Sequence, residues 1–167
     1  QIARMNAFHI HISRRRFFAR TVIAAGLPLW YLEEMRSHAA TPKPLAANDK
    51  PGIALIGCGG QGRGDFNWAK NYGNVIAVAD VDDRHASDAQ KQFNAPNKYN
   101  DFRKLLERDD VHAIINGTPD HWHTFVNVAA ARACKDICSE KPLTLTIGEG
   151  QRLVQEVRKH KRILQVG

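Results

Sequence analysis

Short apolar runs alternate with helical patterns from Gly52 to the last residue of the chain. Runs with the length and content of buried strands occupy residues 53–57, 75–79, 98–99, 112–117, 136–139 and 163–166. Patterns with helical periodicity lie between them, over residues 61–71, 83–93, 101–108, 121–133 and 146–160. This alternation predicts an α/β domain with a doubly wound parallel sheet. Because right-handed crossovers place the loops that follow the strands at one edge of the sheet, we expect a ligand to bind at that edge.

The first 39 residues follow a different pattern. Ser13 and three arginines precede Phe17 and Phe18, and an apolar run over residues 21–32 comes next. A basic region, a short apolar core and small residues beyond it are typical of a secretory signal. The paired arginines resemble a twin-arginine (Tat) signal, although an ordinary basic amphipathic helix has similar features. The apolar run is shorter than the roughly 20 residues that cross a bilayer, so we expect no stable membrane insertion.

These patterns divide the chain into three parts. We predict a Tat-like signal peptide over residues 1–39, a Pro-rich and polar linker over 40–50, and a globular domain over 51–167. Cleavage after Ala39 or after Ala47 fits the small residues there. The signal predicts a periplasmic or otherwise exported protein, with the Tat machinery as a partner.

The charge of the chain does not change this picture. The formal net charge is +7, but residues 1–39 hold six basic and only two acidic residues, so the remainder is only mildly basic. No concentrated basic face of the kind that binds nucleic acid is visible, and we expect no nucleic-acid partner. The three cysteines are too few and odd in number for a disulfide-stapled scaffold.

The strongest chemical motif is a glycine-rich segment between the first strand and the first helix. Its residues are Gly57, Cys58, Gly59, Gly60, Gln61 and Gly62. A G-x-G-x-x-G segment in this context is typical of a dinucleotide-binding loop. Gly57 would permit the tight turn, Gly59 the approach of a pyrophosphate, and Gly62 the close packing of helix on strand. The helix N-terminus would offer free N–H groups and a positive dipole end to the phosphates.

A carboxylate at the end of the second strand bears on the choice of cofactor. Asp80 lies 18 residues beyond Gly62, the position from which a carboxylate binds the ribose hydroxyls of NAD and repels the 2′-phosphate of NADP. Arg84 follows four residues later and could instead pair with a 2′-phosphate or stack on the adenine. The sequence therefore favours NAD and leaves NADP possible.

Two further loops carry candidate chemistry. The loop after the fourth strand would lie beside the nicotinamide half of a dinucleotide, with Thr118, Pro119, His121 and His123 as candidate contacts. The two histidines are two residues apart at a helix start, where side chains diverge, and no further ligand cluster is visible, so we expect no metal. Asp120 could simply cap that helix.

The loop after the fifth strand contains a Glu-Lys-Pro tripeptide. Glu140 and Lys141 stand at the same predicted edge of the sheet. A lysine there is a candidate proton donor or acceptor at a carbinol oxygen. Glu140 could orient it, although such a tripeptide is also common in surface turns.

Together these motifs resemble the Gfo/Idh/MocA oxidoreductase family. The resemblance runs from about Lys50 to Gly167 and depends on the segments GCGGQGRG, AVADVDDR, TPDHWH and SEKP in this order. It implies a Rossmann domain with strand order 3-2-1-4-5-6 that binds NAD or NADP. It also implies hydride transfer between the cofactor and a sugar, polyol or related hydroxyl compound. The resemblance makes Lys141 an expected catalytic residue and places Glu140, Thr118, Pro119 and His123 at the nicotinamide end. We also expect His123 to take part in catalysis, and His121 and Lys141 to contact the cofactor.

The same resemblance implies a longer protein. Family members continue into a second α/β domain that supplies the substrate pocket and through which they associate, and we expect this chain to lack that domain. The chain alone is then expected to bind a dinucleotide without turning over a sugar, and the full-length protein to form a homo-oligomer. The Tat-like leader is similar to that of exported members of the family.

Two other functions stay open at the sequence level. The first is an NAD-dependent glycoside hydrolase on the same fold, which oxidises its sugar only transiently and so produces no net NADH. The second is a non-catalytic dinucleotide-binding module. Lys141 and the TPDHWH segment count against the second alternative, because neither is needed to hold a dinucleotide.

Overall fold

A computed structural model of the protein describes residues 44–46 and 49–167. The predicted signal peptide over residues 1–39 and its cleavage point lie outside these residues and stay predictions. The described part of the linker belongs to no helix or strand. Within the described ranges, every helix is too short or too polar to cross a membrane.

Six strands and five helices alternate along the described chain. The strands are β1 (Gly52–Ile56), β2 (Asn74–Ala79), β3 (Asn97–Tyr99), β4 (Ala113–Asn116), β5 (Asp136–Ser139) and β6 (Leu164–Val166). The helices are α1 (Gly60–Ala69), α2 (Asp83–Phe93), α3 (Phe102–Leu106), α4 (Asp120–Arg132) and α5 (Ile147–Lys159). The helix predicted over residues 101–108 is shorter than expected: its cap is Glu107, and Asp101 accepts the Arg103 N–H at its start.

The strands form one parallel sheet with the order β3-β2-β1-β4-β5-β6. Every neighbouring pair is parallel, which confirms the predicted doubly wound Rossmann sheet. The order reverses between β1 and β4, where Ile56 pairs with Asn116. In sheets of this kind, the carboxyl ends of the strands at this switch point border the ligand crevice.

Both faces of the sheet are covered by apolar side chains. Successive residues of β1 pack alternately into two clusters: Ala54 and Ile56 into one, Ile53 and Leu55 into the other. A parallel strand buried on both faces in this way appears in the sequence as a continuous apolar run, and for this reason β1 was predictable. On the second side of the sheet, the rings of Phe66 of α1 and Phe93 of α2 contact each other in an edge-to-face arrangement, with centroids 4.9 Å apart.

Local hydrogen bonds mark the ends of several helices. The Asp82 carboxylate accepts the Arg84 N–H at 2.8 Å and so caps α2. At α5, Thr146 and Glu149 form a capping box, in which each side chain accepts a backbone N–H of the other residue. These side-chain acceptors satisfy N–H groups that have no partner within the helix.

Candidate functional site

The turn between β1 and α1 is built on close backbone packing. Gly57 has φ +87°, a conformation that favours glycine. A Cβ atom on Gly62 would lie 2.1 Å from the Gly57 carbonyl oxygen. One on Gly117, at the end of β4, would lie 2.4 Å from the Gly62 Cα. The three glycines therefore let α1 begin directly against the ends of β1 and β4.

The outer side of the same turn is open. A Cβ atom on Gly59 or on Gly60 would meet no atom within 4 Å. No side chain caps α1, and its first turn carries no acidic residue. The first N–H groups of the helix, which have no acceptor within it, are thus available to an anion together with the positive end of the helix dipole. This cradle fits the diphosphate of a dinucleotide.

Asp80 lies beside this turn, as predicted. Its Oδ2 accepts the Cys58 N–H at 2.7 Å and its Oδ1 accepts the Asp82 N–H at 2.9 Å. The side chain keeps 12% of its surface exposed. The carboxylate is therefore held in a fixed orientation at the end of β2, with room to accept hydrogen bonds from ribose hydroxyls.

Arg84 is held differently. Its guanidinium is 88% exposed and forms an ion pair with Asp82, with a distance of 3.2 Å between Nη2 and the carboxylate. The cation that would favour a 2′-phosphate already has a carboxylate partner. In the described structure, the geometry at the end of β2 thus gives the more fixed position to Asp80.

Cys58 is a packing residue of the glycine turn. Its thiol is buried and donates to the Ala79 carbonyl oxygen at 3.4 Å. Burial, reinforced by the nearby charge of Asp80, raises its pKa to about 12. The thiol is therefore protonated at neutral pH, and a nucleophilic role is excluded there.

A cleft of about 180 Å³ opens at the switch point. We call it the switch-point cleft, and its lining residues are Gln61, Gly117, Thr118, Pro119, Asp120, His123, Glu140 and Lys141. Six predicted site residues are thus brought together from three separate loops. The predicted contact His121 lies at the exposed start of α4 and does not line this cleft.

His123 joins two of the loops that form the cleft. It is only 1% exposed. Its Nδ1 lies 2.6 Å from the Pro142 carbonyl oxygen, and its Nε2 lies 2.7 Å from the Thr118 carbonyl oxygen. Because both ring nitrogens face backbone acceptors, the ring ties the loop after β4 to the loop after β5. The catalytic role expected for His123 stays a prediction.

Unlike the buried His123, Lys141 is exposed to solvent at the cleft. The neighbouring Glu140 folds back so that its Oε2 accepts the Lys141 backbone N–H at 3.1 Å. Although burial opposes it, hydrogen bonds from the Lys141 N–H, Asp65 and Gln61 lower the pKa of Glu140. The cleft therefore presents the Lys141 side chain next to an ionised carboxylate.

A buried polar network beneath the cleft was missed by sequence reasoning. The Asn116 amide donates to the Asn127 side-chain oxygen at 2.8 Å, and the Asn127 amide donates to the Ser139 hydroxyl at 2.9 Å. Asn116 also accepts the Thr118 hydroxyl at 2.7 Å. The network links the ends of β4 and β5 to α4. The sequence did contain a signal for this network, because the polar Asn127 interrupts the apolar face of α4 beside Val126.

Asp65 is a second residue that sequence reasoning missed. It lies one helical turn beyond Gln61 on α1. The Gln61 amide nitrogen donates to Asp65 Oδ1 at 3.0 Å and to Glu140 Oε1 at 3.2 Å. Helix α1 is thus hydrogen-bonded to the loop that carries Lys141, and Asp65 takes part in this connection through Gln61. Its sequence signal was weak, since an acidic residue in a polar helix is usually solvated.

The expectation that the chain binds no metal stays a prediction. No group of three or more His, Cys, Asp or Glu side chains there is arranged to hold an ion. His121 and His123 separate as expected at a helix start, one exposed and the other buried.

A parallel sheet with a glycine-rich first turn and a carboxylate after its second strand defines a dinucleotide-binding α/β domain. Residues 52–167 match the model of the GFO_IDH_MocA family, described as an oxidoreductase family with an NAD-binding Rossmann fold. The chain belongs to this family. The expected family and the NAD-binding fold are thereby confirmed.

Individual relatives agree with this assignment. The chain is 33% identical over 89 residues to a levoglucosan dehydrogenase of Pseudarthrobacter phenanthrenivorans, a match that covers 53% of this chain and 23% of that protein. It is 32% identical over 120 residues to an inositol 2-dehydrogenase/D-chiro-inositol 3-dehydrogenase of Lacticaseibacillus casei, which covers 69% and 35%. The crystal structure of an NAD-binding oxidoreductase from Klebsiella pneumoniae superposes with a TM-score of 0.66 and 25% identity, over 71% of this chain and 34% of that chain. The matched part thus spans about a third or less of the length of these relatives.

Proposed function

We propose that this chain is the nucleotide-binding half of an exported, NAD-dependent oxidoreductase that acts on a CH–OH group of a sugar or polyol. The observation that carries the proposal is the switch-point cleft, where Lys141 and Glu140 meet the glycine turn that suits a diphosphate. The similar proteins named above are dehydrogenases of levoglucosan and of inositols. Their names support a cyclic, polyhydroxylated substrate.

The residues of the chain divide the work of holding the cofactor. The N–H groups of Gly60, Gln61 and Gly62 bind the diphosphate, and Asp80 accepts hydrogen bonds from the adenosine ribose. Thr118 and Pro119 border the nicotinamide end. When bound, the cofactor supplies a carbon that accepts a hydride.

Lys141 is the proposed proton acceptor in the oxidation. Its amine takes the proton from the substrate hydroxyl as the carbinol carbon is oxidised. Glu140 orients the loop through its bond to the Lys141 backbone N–H. We keep His123 as a second catalytic candidate, with its buried position between two carbonyl oxygens as the constraint on that role.

The test of this function has two parts. The chain should bind NAD⁺, which at a hundredfold excess over the dissociation constant stabilises it by about 2.7 kcal/mol. The full-length protein should form NADH with an inositol or an anhydrosugar, and Lys141→Ala should abolish this while NAD⁺ binding stays. Aglycone release from a glycoside without accumulation of NADH would instead identify the glycoside hydrolase. Binding without either reaction would identify a non-catalytic module.

Export is tested separately. The Ser-Arg-Arg-Arg-Phe-Phe segment over residues 13–18 supports passage through the Tat system. A Rossmann enzyme folds around its cofactor, and the Tat route carries folded cargo. Residues 1–50 fused to a reporter should direct it out of the cytoplasm, and replacing Arg14 and Arg15 by lysine should stop this. Export that persists in the double variant would refute the Tat route.

A further inference from the structure

The Gln61 side chain connects two carboxyl groups from different elements. Its amide nitrogen has two hydrogens, and both are used: one on Asp65 of α1 and one on Glu140 after β5. Gln61 and Glu140 line the switch-point cleft. The two carboxyls are therefore held close together at the wall of the proposed cofactor site.

The second oxygen of Asp65, Oδ2, is buried and has no hydrogen-bond donor among the described residues. Burial, the charge of Glu140 and a hydrogen bond with Glu140 raise the pKa of Asp65, while the pKa of Glu140 is lowered. Two adjacent carboxyls are more stable when they hold one proton between them than when both are ionised. A proton on Asp65, donated toward Glu140, satisfies this geometry.

We propose that Asp65 and Glu140 share one proton beside the Gln61 amide, and that this proton is released to solvent when NAD⁺, but not NADH, occupies the cleft. The inference rests on the proposed function, since it requires the nicotinamide end at this cleft. The nicotinamide ring of NAD⁺ carries a positive charge and that of NADH carries none. A cation beside the pair favours two ionised carboxylates, so Asp65 makes the site sensitive to the oxidation state of the cofactor.

The other polar and titratable groups around the pair are common to both cofactor forms. They are Lys141 on the same loop, Asp120 and His123 on α4, Cys138 on β5 and the backbone of Gly167 after β6. Burial, Asp65 and Glu140 raise the pKa of the Cys138 thiol, so it stays neutral. The nicotinamide charge is thus the change that separates the two complexes.

Isothermal titration calorimetry in buffers of different ionisation enthalpy counts the protons released on binding. For the unaltered chain we expect proton release with NAD⁺ and none with NADH or ADP-ribose. The NAD⁺ dissociation constant should fall by up to about tenfold per pH unit where Asp65 titrates. Asp65→Asn keeps the acceptor for Gln61 and can donate to Glu140, but has no carboxyl group that titrates. It should bind NAD⁺ without proton release.

The matched control is Glu107→Gln, which replaces an exposed carboxylate that caps the end of α3 and pairs with Lys104. This variant should release protons like the unaltered chain. Carbon-13 NMR of the side-chain carboxyls in the free protein provides a measurement without a variant. There Asp65 should titrate above an ordinary aspartate and together with Glu140. An ordinary Asp65 titration, or NAD⁺ binding with unchanged proton release in Asp65→Asn, would overturn the inference alone. Absence of NAD⁺ and ADP-ribose binding would overturn the proposed function and the inference together.

Discussion

At the glycine turn, α1 packs closely against the sheet because the glycines there have no Cβ atom. We expect Gly62→Ala to lower the free energy of unfolding by about 1–3 kcal/mol, because its Cβ would lie 2.1 Å from the Gly57 oxygen. Gly64→Ala on the same helix meets no atom within 4 Å and should stabilise the chain by up to about 1 kcal/mol. Urea unfolding compares the two variants. Equal effects would show that the turn is not constrained by packing.

At the end of β2, one carboxylate is expected to set the cofactor preference. Asp80→Asn should weaken NAD⁺ binding by roughly ten- to a hundredfold, since hydrogen bonds to a charged group contribute about 1.5–3 kcal/mol. The preference for NAD⁺ over NADP⁺ should decrease as well, because the repulsion of the 2′-phosphate is lost. Calorimetry with both cofactors measures this. A preference of the unaltered chain for NADP⁺ would mean that Arg84 outweighs Asp80.

Some residues of the site could be identified from the sequence and others could not. Gly57, Gly62 and Asp80 were identified because each belongs to a motif in which the residue type and the spacing are fixed by its role in binding the cofactor. Gly117 and Asp65 were not, because their contacts are with residues distant in the chain. The 2.4 Å approach of a Gly117 Cβ to Gly62, for example, exists only once β4 lies beside β1.

At the scale of elements, the polar network holds the ends of β4 and β5 at a set distance from α4. Asn127→Leu leaves the Asn116 amide and the Ser139 hydroxyl without this partner. We expect a loss of about 1–3 kcal/mol in unfolding free energy. We also expect a loss of the affinity that NAD⁺ has beyond ADP-ribose, because the loops at the nicotinamide end lose their support.

The readout that separates positioning from general destabilisation is the ADP-ribose affinity, which should stay within about twofold of the unaltered chain. Ser139→Ala removes the same hydrogen bond from the other side. Its effect and that of Asn127→Leu should therefore be non-additive in the double variant. Additive effects, or equal losses for NAD⁺ and ADP-ribose, would show that the network does not position the cleft.

Most elements were predictable because their signals are local. Apolar runs gave β1, β2, β4 and β5, and helical periodicity gave α2 and α5 nearly to the residue. The exception is α3, where the pattern over residues 101–108 predicted a longer helix than the five residues found. Periodicity reports which face is buried, and it does not report how early a chain must turn to reach the next strand.

At the scale of the whole molecule, a buried lysine should make stability depend on pH. Lys135 is fully buried, and its Nζ donates to the Arg108 carbonyl oxygen at 2.5 Å. Burial lowers its pKa to about 8, against the opposing charges of Cys134, Asp109 and Asp110. The folded pKa lies below the unfolded value of 10.5, so the unfolded chain binds more protons between these values. The contribution of Lys135 to stability should therefore rise with pH from about 8 to 10.5.

Urea unfolding of the unaltered chain and of Lys135→Met at several pH values isolates this contribution, since other groups titrate alike in both proteins. The difference in unfolding free energy should shift in favour of the lysine as the pH rises. Lys104→Met, at an exposed lysine paired with Glu107, is the matched control. A difference for Lys135→Met that does not change with pH would contradict the lowered pKa of Lys135.

The amino-acid sequence was sufficient to predict the α/β class and the glycine turn, because these depend on residue types at short spacings. Its four motifs carried the resemblance to the family, and only that resemblance implied the strand order. Only the tertiary structure decided that His123 lies between two carbonyl oxygens, that Asn127 joins two strand ends and that Gln61 connects Asp65 to Glu140. The physical reason is that such contacts join loops up to 79 residues apart. Their distances depend on how the strands stack in the sheet, and no local pattern records that.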